Sequence, residues 1–164
     1  ATDSVQMAAA RMAELHIGRS PEILITRGLG SCLGITVYDP AKKIGALAHV
    51  MLPDITNARI KHNPYRFVNS AIDAIVEELK VHGSLTRNMK AKIFGGAHMF
   101  SFMVTNTVLN IGEKNVLMAK QMFARWEIPV LAEDVRGNFG RTIEFYLDTG
   151  KVMMRTVSQG EKEY

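Results

Sequence analysis

The apolar residues of the chain recur with two different periods, and these periods predict its secondary structure. Runs that alternate apolar and polar residues, or that are rich in β-branched residues, predict strands over residues 13–17, 22–26, 33–38, 44–52, 91–94, 130–135, 141–147 and 152–157. An i, i+3, i+4 spacing predicts two amphipathic helices. The first begins at Asn63-Pro64 and ends at Gly83, and the second covers residues 112–127 and ends before Pro129.

Three stretches follow neither period. Residues 1–11 are small and polar with an alanine-rich piece, so we expect a flexible lead-in that is frayed or weakly helical. Residues 98–110 are apolar without a clear period, and the polar tail 158–164 is expected to be loose. The remaining chain, residues 12–164, shows no linker or repeat and is predicted to form a single domain.

The order of the elements predicts an α+β fold. Several strands are joined by short turns such as Asp148–Lys151, which favours antiparallel pairing. Two one-sided helices need a sheet to cover. We therefore expect a layered sandwich of mainly antiparallel sheet with both main helices packed on one face. An arrangement in which the strands split into two layers stays open.

Composition and charge narrow the classes of function. The chain has 164 residues, of which 47% are hydrophobic and 22% charged, as in ordinary globular domains. No apolar run approaches the roughly 20 residues that span a bilayer, and a lone cysteine is kept reduced most easily in the cytoplasm. The net charge of +4 is scattered, without the basic stripe that nucleic-acid binding needs. His16, His62, His82 and His98 are scattered without the i, i+4 spacing of a metal pair, so no metal site is expected.

The candidate chemistry lies in residues 26–49, which contain the single cysteine. If Tyr38 pairs with Lys43 across the turn that separates them, Cys32 lies opposite His49 on one face of a hairpin. Directly opposed Cβ atoms are about 4.5–5.5 Å apart. An imidazole at that distance can take the proton of the thiol, and we expect a thiolate well below the usual thiol pKa of about 8.5. A register slip of one residue would separate the two side chains.

Three neighbours complete the candidate site. The hydroxyl of Thr26 could orient the imidazole, although a regular ladder would place Thr26 beside Cys32, so the strand ends would have to splay. Backbone N–H groups of the turn around Gly30 and Ser31 could stabilise an oxyanion. The competing interpretation is structural, since a lone cysteine is often a small buried hydrophobe and a strand histidine is often only half-buried.

These motifs resemble those of the CheD family of chemoreceptor glutamine deamidases. The resemblance rests on Thr26-x-Gly-Leu-Gly-Ser-Cys32, on Gly45-x-x-x-His49, and on Met51-Leu-Pro53. It continues through Gly95-Gly96-Ala97-x-Met99-Phe100, Asn110-Ile-Gly112-x-x-Asn115, Asp134, Gly137, Arg141 and Thr149-Gly150. It covers nearly the whole chain beyond about residue 12 and includes the positions of a cysteine, a histidine and a threonine.

The resemblance implies a protein-glutamine glutaminase, a cysteine amidohydrolase that converts receptor glutamine side chains to glutamate during chemotactic adaptation. Cys32, His49 and Thr26 would be its catalytic residues, without a cofactor. Some members also cleave glutamyl methyl esters. The implied partners are methyl-accepting chemotaxis receptors, as substrate, and CheC, a phosphatase that acts on the response regulator CheY and competes with the receptor. No direct membrane insertion is implied.

Two departures and two alternatives accompany the resemblance. Arg136 stands where the family often has glycine, and His98 stands at a small-residue position. If Phe100 and Phe102 belong to the partner-binding surface, His98 could alter partner choice. The alternatives are a CheC-binding regulatory module with little activity of its own, and a papain-like peptidase that would cut the backbone instead.

Overall fold

The computed structural model describes residues 5–59, 63–99 and 110–164. Within these ranges the chain forms ten strands and two α-helices. The strands are β1 (Met7–Ala9), β2 (Glu14–Arg19), β3 (Ile23–Leu29), β4 (Leu33–Asp39), β5 (Ile44–Val50), β6 (Lys90–Gly95), β7 (Val130–Val135), β8 (Arg141–Tyr146), β9 (Val152–Thr156) and β10 (Gly160–Glu163). The helices are α1 (Val68–Val81) and α2 (Ile111–Trp126).

The described strands form two five-stranded sheets. A central sheet has the order β2-β5-β4-β6-β7, and an outer sheet has the order β1-β3-β8-β9-β10. Of the eight strand pairings between described residues, only β1 with β3 and β6 with β7 are parallel. The predicted α+β class and the mainly antiparallel pairing are confirmed, and the strands do split into two layers.

Strand alternation assigns the two faces of the central sheet to two different cores. Ile35, Val37, Ala46 and Ala48 join a core with both helices, so α1 and α2 lie on one face as predicted. Leu47, one position away from Ala46 and Ala48, instead joins a core with residues of the outer sheet. Because helices cover one face and the outer sheet the other, β4 and β5 are buried along their whole length.

The apolar stripe of α1 is buried as its spacing predicts, through Val68, Ala71, Ile72, Ile75, Val76 and Leu79. The predicted start is early, because Asn63 caps a 3-10 turn over Pro64–Arg66 and the α-helix begins only at Val68. No helix in the described parts of the chain is long and apolar enough to cross a bilayer.

Both ends of the chain correct the sequence predictions. In place of a frayed or weakly helical piece, Met7–Ala9 is a strand parallel to β3. In place of a loose tail, Gly160–Glu163 is a strand that pairs with β9. Both are short edge strands with little apolar alternation. Backbone pairing, the burial of Ala10 and the packing of partly buried Tyr164 help to hold them in place.

Candidate active site

The hairpin of β4 and β5 has a register that differs by two residues from the predicted one. Tyr38 pairs with Gly45 instead of Lys43, so Gly34, and not Cys32, lies opposite His49. The reason is the turn, where Lys43 has a φ of 51° and cannot continue the strand. A shift of two preserves the face, so Cys32 and His49 are diagonal neighbours on the side that faces the outer sheet. Diagonal neighbours lie about 7–8 Å apart, and no hydrogen bond joins the Cys32 sulfur to Nε2 of His49, which has no partner among the described residues.

Thr26 reaches His49 from the outer sheet, not by splaying of strand ends. It shares a face of β3 with Leu24, which faces the central sheet. Its Oγ1 lies 2.7 Å from Nδ1 of His49, and both residues are 1% exposed. The threonine and the histidine therefore meet across the layer between the two sheets, and the close approach uses Gly34, where a Cβ would lie 2.8 Å from the Leu29 side chain.

The turn that carries Cys32 is held by its carbonyl groups. The Gly30 carbonyl accepts from the N–H of Ala97 at 2.9 Å, and the Cys32 carbonyl accepts from the N–H of Gly96 at 2.9 Å. Gly95 has a φ of 109°, and a Cβ there would lie 2.3 Å from the Cys32 oxygen. The Gly-Gly-Ala motif at the end of β6 thus binds the turn that carries Cys32.

Asn115 is a site residue to which the sequence assigned no role. It is fully buried in α2, and its Nδ2 donates to the Ser31 carbonyl at 2.9 Å and to the Met51 carbonyl at 3.2 Å. One amide therefore ties the residue before Cys32 to the segment that follows His49. The feature of the sequence that could have indicated this role is a polar residue, Asn115, next to Val116 on the apolar stripe of a helix.

Replacement of Gly95 by alanine is expected to destabilise the protein by several kcal/mol and to impair the site. The left-handed backbone costs a non-glycine residue about 1–2 kcal/mol, and the new Cβ would collide with the Cys32 carbonyl. Thermal and denaturant unfolding measure the loss. The matched control is Gly140→Ala, because a Cβ at Gly140 meets nothing within 4 Å. Equal stability of the two variants would contradict the assigned contact.

Not every N–H group of the cysteine turn is available to an oxyanion. The Gly30 N–H donates to the Gly28 carbonyl at 3.1 Å, which removes it from the predicted donors. For the Ser31 N–H, no acceptor lies among the described residues, and the Cys32 N–H bonds to its own sulfur. The turn thus leaves the Ser31 N–H, rather than that of Gly30, as the backbone donor without an acceptor near the thiol.

Burial disfavours the charged forms of both the Cys32 thiol and the His49 imidazole. It raises the pKa of the Cys32 thiol, an effect that the hydrogen bond from the Cys32 N–H opposes. It also lowers the pKa of His49. Both shifts run against the expectation of a thiolate well below the usual thiol pKa.

The alkylation rate of Cys32 by iodoacetamide is expected to rise with pH to a midpoint above the ordinary thiol value of about 8.5. Thiolate is the reactive form, and burial raises the pKa of this thiol. Intact-protein mass spectrometry at a series of pH values gives the rate without ambiguity, because the chain has one cysteine. Glutathione alkylated in parallel is the control, and a midpoint below that of glutathione would show a preformed thiolate.

Other predicted positions fall around the site in different ways. Arg136 has a φ of 73°, the conformation that a glycine adopts without cost, and its guanidinium pairs with Glu113 of α2 at 2.7 Å. The His98 N–H donates to the Gly137 carbonyl, and its buried Nε2 has no partner among the described residues. Phe100 and Phe102 lie outside the described residues.

The first residue of the predicted Met/Phe run does lie at the site. A Cβ built on Gly30 would come within 3.2 Å of the Met99 side chain, which is 39% exposed. Met99 therefore covers the turn before Cys32. Across the described residues, no group of three or more His, Cys, Asp or Glu side chains is arranged to hold a metal ion.

Comparison with known proteins gives the chain a family. The model of the family described as CheD chemotactic sensory transduction matches residues 51–156. That match begins after Thr26, Cys32 and His49, so it does not itself bear on them. Among solved structures, a Bacillus licheniformis hypothetical protein, YfiH, is similar with a TM-score of 0.44 and 16% identity, covering 73% of this chain and 49% of that one.

Curated relatives extend the similarity to nearly the whole chain. A protein of Caldanaerobacter subterraneus subsp. tengcongensis, named probable chemoreceptor glutamine deamidase CheD, is 40% identical over 151 residues, which are 92% of this chain and 93% of that protein. A protein of the same name from Clostridium botulinum strain Hall is 45% identical over 152 residues, with coverage of 93% and 94%. With matches of this extent, the chain belongs to the CheD chemotactic sensory transduction family.

Proposed function

We propose that the protein hydrolyses glutamine side chains of methyl-accepting chemotaxis receptors to glutamate. The observation that carries the proposal is the meeting of His49 with Thr26 across the two sheets, diagonal to Cys32 on the same face, in a chain of the CheD family. The relatives named chemoreceptor glutamine deamidase support the substrate class. A buried cysteine with a merely structural role would not require a polar threonine–histidine pair beside it.

The first half of the reaction forms a thioester. As Nε2 of His49 takes the proton of the Cys32 thiol, the sulfur attacks the carbon of the glutamine amide and the carbonyl becomes an oxyanion. The backbone N–H of Ser31 stabilises the oxyanion. The C–N bond then breaks while Nε2 returns its proton to the departing nitrogen, so ammonia leaves and the acyl group stays on sulfur.

The second half releases the product. Water attacks the thioester carbon as Nε2 of His49 accepts a proton from the water. The C–S bond breaks, and the sulfur recovers the proton from the imidazole as the glutamate side chain departs. The same residues would cleave a glutamyl methyl ester, with methanol in place of ammonia as the leaving group. Thr26 holds the imidazole ring in a fixed orientation throughout.

Two kinds of partner follow from the proposal. The receptor binds as substrate, and CheC binds as a competing regulator at a surface that includes Phe100 and Phe102. The second candidate function, a regulatory module with little activity of its own, has less support, because it leaves the buried contact of Thr26 with His49 without a purpose.

A receptor cytoplasmic fragment tests the proposal. After incubation with the protein, peptide mass spectrometry is expected to show the mass increase of glutamine-to-glutamate conversion at particular receptor glutamines. Ammonia release gives the rate. A fragment that stays unchanged would favour the regulatory module, and cleavage of the receptor backbone would show a peptidase.

A further inference from the structure

The hydroxyl of Thr26 lies between two groups that compete for its single proton. It is 2.7 Å from Nδ1 of His49 and 2.6 Å from the backbone oxygen of Ala10. A carbonyl oxygen can only accept a hydrogen bond, whereas a hydroxyl carries one hydrogen and can also accept. The Thr26 O–H therefore donates to Ala10, because a contact of 2.6 Å between two lone pairs would be repulsive.

The direction of this hydrogen bond determines which nitrogen of the imidazole carries the proton. Once the Thr26 hydrogen points to Ala10, the Thr26 oxygen can only accept from His49, so Nδ1 must be the protonated nitrogen. A neutral imidazole has one N–H, which leaves the lone pair on Nε2. Nε2 is buried and has no hydrogen-bond partner among the described residues, as expected of a nitrogen kept free for the thiol.

The third residue alone could not make this choice. In a Ser-His-Asp triad the carboxylate only accepts, so it selects the Nδ1–H tautomer by itself. A threonine hydroxyl donates and accepts with similar ease, and without a further group it would be compatible with both tautomers. A threonine in this place therefore needs a fixed acceptor behind it.

We propose that the backbone carbonyl of Ala10 is a positioning group of the active site, which, through Thr26, selects the His49 tautomer with a free Nε2. The proposal rests on the proposed function, in which Nε2 is the general base. It makes the segment around β1 part of the catalytic apparatus.

The local structure holds this carbonyl in place. The Ala10 N–H donates to the Ile25 carbonyl at 2.8 Å, which continues the parallel pairing of β1 with β3. Ala10 is 3% exposed in the core between the sheets. Three residues later, the Ala13 N–H donates to the carbonyl of His49 itself at 2.8 Å. The segment is thus anchored to both strands whose side chains it orients.

The tautomer can be measured directly in the intact protein. With ¹⁵N-labelled histidine, two-dimensional NMR correlations from the ring nitrogens to the ring carbon-bound protons distinguish a protonated from an unprotonated nitrogen. The His49 signals are assigned by their loss in His49→Gln. We expect protonated Nδ1 and unprotonated Nε2 near neutral pH. A protonated Nε2 would overturn the proposal, whatever the activity.

Variants of Thr26 and Ala10 test the chain of contacts. Thr26→Ser keeps the hydroxyl and should keep the tautomer, whereas Thr26→Val removes it and should mix the tautomers and lower kcat by roughly 10- to 100-fold with little change in KM. Ala10→Pro removes the N–H that anchors the carbonyl and should act like Thr26→Val. Ala10→Gly is its control, because it retains both backbone groups.

The outcomes separate this inference from the proposed function. If Ala10→Pro and Thr26→Val leave His49 wholly in the Nδ1–H form with unchanged kcat, the carbonyl does not select the tautomer. If Ala10→Pro does not fold, the tautomer of the wild-type protein and the comparison of Thr26→Ser with Thr26→Val still test the proposal. If the tautomer is as expected but receptor glutamine is never hydrolysed, the positioning stands and the proposed reaction falls.

Discussion

Replacement of Cys32 by alanine is expected to reduce hydrolysis of receptor glutamine by a factor of about 10⁴ or more, because no other group can form the thioester. The side chain is only half-buried and alanine fits its space, so the fold should persist. Circular dichroism and the unfolding temperature check the fold, and ammonia release together with peptide mass spectrometry measures the activity.

Serine at the same position gives a sharper comparison. Cys32→Ser retains a donor of similar size, but its hydroxyl is a far weaker nucleophile than a thiol, so activity should also be lost. Binding of the receptor fragment should persist in both variants. Hydrolysis by Cys32→Ala at the wild-type rate would show that the nucleophile assignment is wrong.

Replacement of His49 by glutamine is expected to lower kcat by about 10²- to 10⁴-fold, the usual contribution of a general base. The double variant with Cys32→Ala should be no slower than Cys32→Ala alone, since residues that act in one step have non-additive effects. The control is His82→Gln, because His82 is exposed at the end of α1. If the fold-loss in kcat of the double variant equals the product of the two single losses, the two residues act independently.

The same substitution has a signature in stability. Because burial lowers the pKa of His49 in the folded state, the unfolded chain, with a pKa of about 6.5, binds this proton more readily. His49 therefore contributes a loss of stability as the pH falls below about 6.5, which ends once the pH has passed the lowered folded pKa. Denaturant unfolding at a series of pH values should show a shallower decline in His49→Gln, and an unchanged decline would contradict the neutral buried imidazole.

A neutral pair also explains how a single half-buried thiol can lie near a base. A preformed ion pair between the sheets would require two desolvated charges, whereas a thiol and an imidazole can be buried at lower cost. In the proposed reaction, proton transfer then accompanies attack on the substrate. This interpretation joins the two pH predictions. Cys32 should be alkylated only at high pH and His49 should be protonated only at low pH, so the neutral pair should persist over a wide pH range.

Local patterns were sufficient for most elements. Alternation in residues 33–38 and 141–147 identified β4 and β8, and the 3–4 spacing identified the buried stripe of α1, because each element must turn its apolar side chains to one core. The alternation of side chains between the two faces of the hairpin placed Cys32 and His49 on one face. A register shift of two residues leaves each side chain on the same face. The predicted face was therefore correct, although Gly34 and not Cys32 lies directly opposite His49.

The edges and the turns were not predictable in the same way. The strand β1 pairs with β3 rather than with the adjacent β2, and β10 pairs with the preceding β9; the residues of both carry little apolar alternation. The register depended on Lys43 entering the left-handed region, which no pattern of apolar residues reports. The role of Asn115 depends on the packing of α2 against the turn before Cys32, which the sequence pattern does not report.

By itself, therefore, the sequence determined the class of the fold, the face that Cys32 and His49 share, and, through its motifs, the family. Only the tertiary structure decided that Thr26 approaches His49 from a second sheet, since sheet-on-sheet packing depends on contacts between distant parts of the chain. It also decided the role of Ala10, which acts through a backbone carbonyl. Every residue has that group, so its use leaves no mark in the sequence.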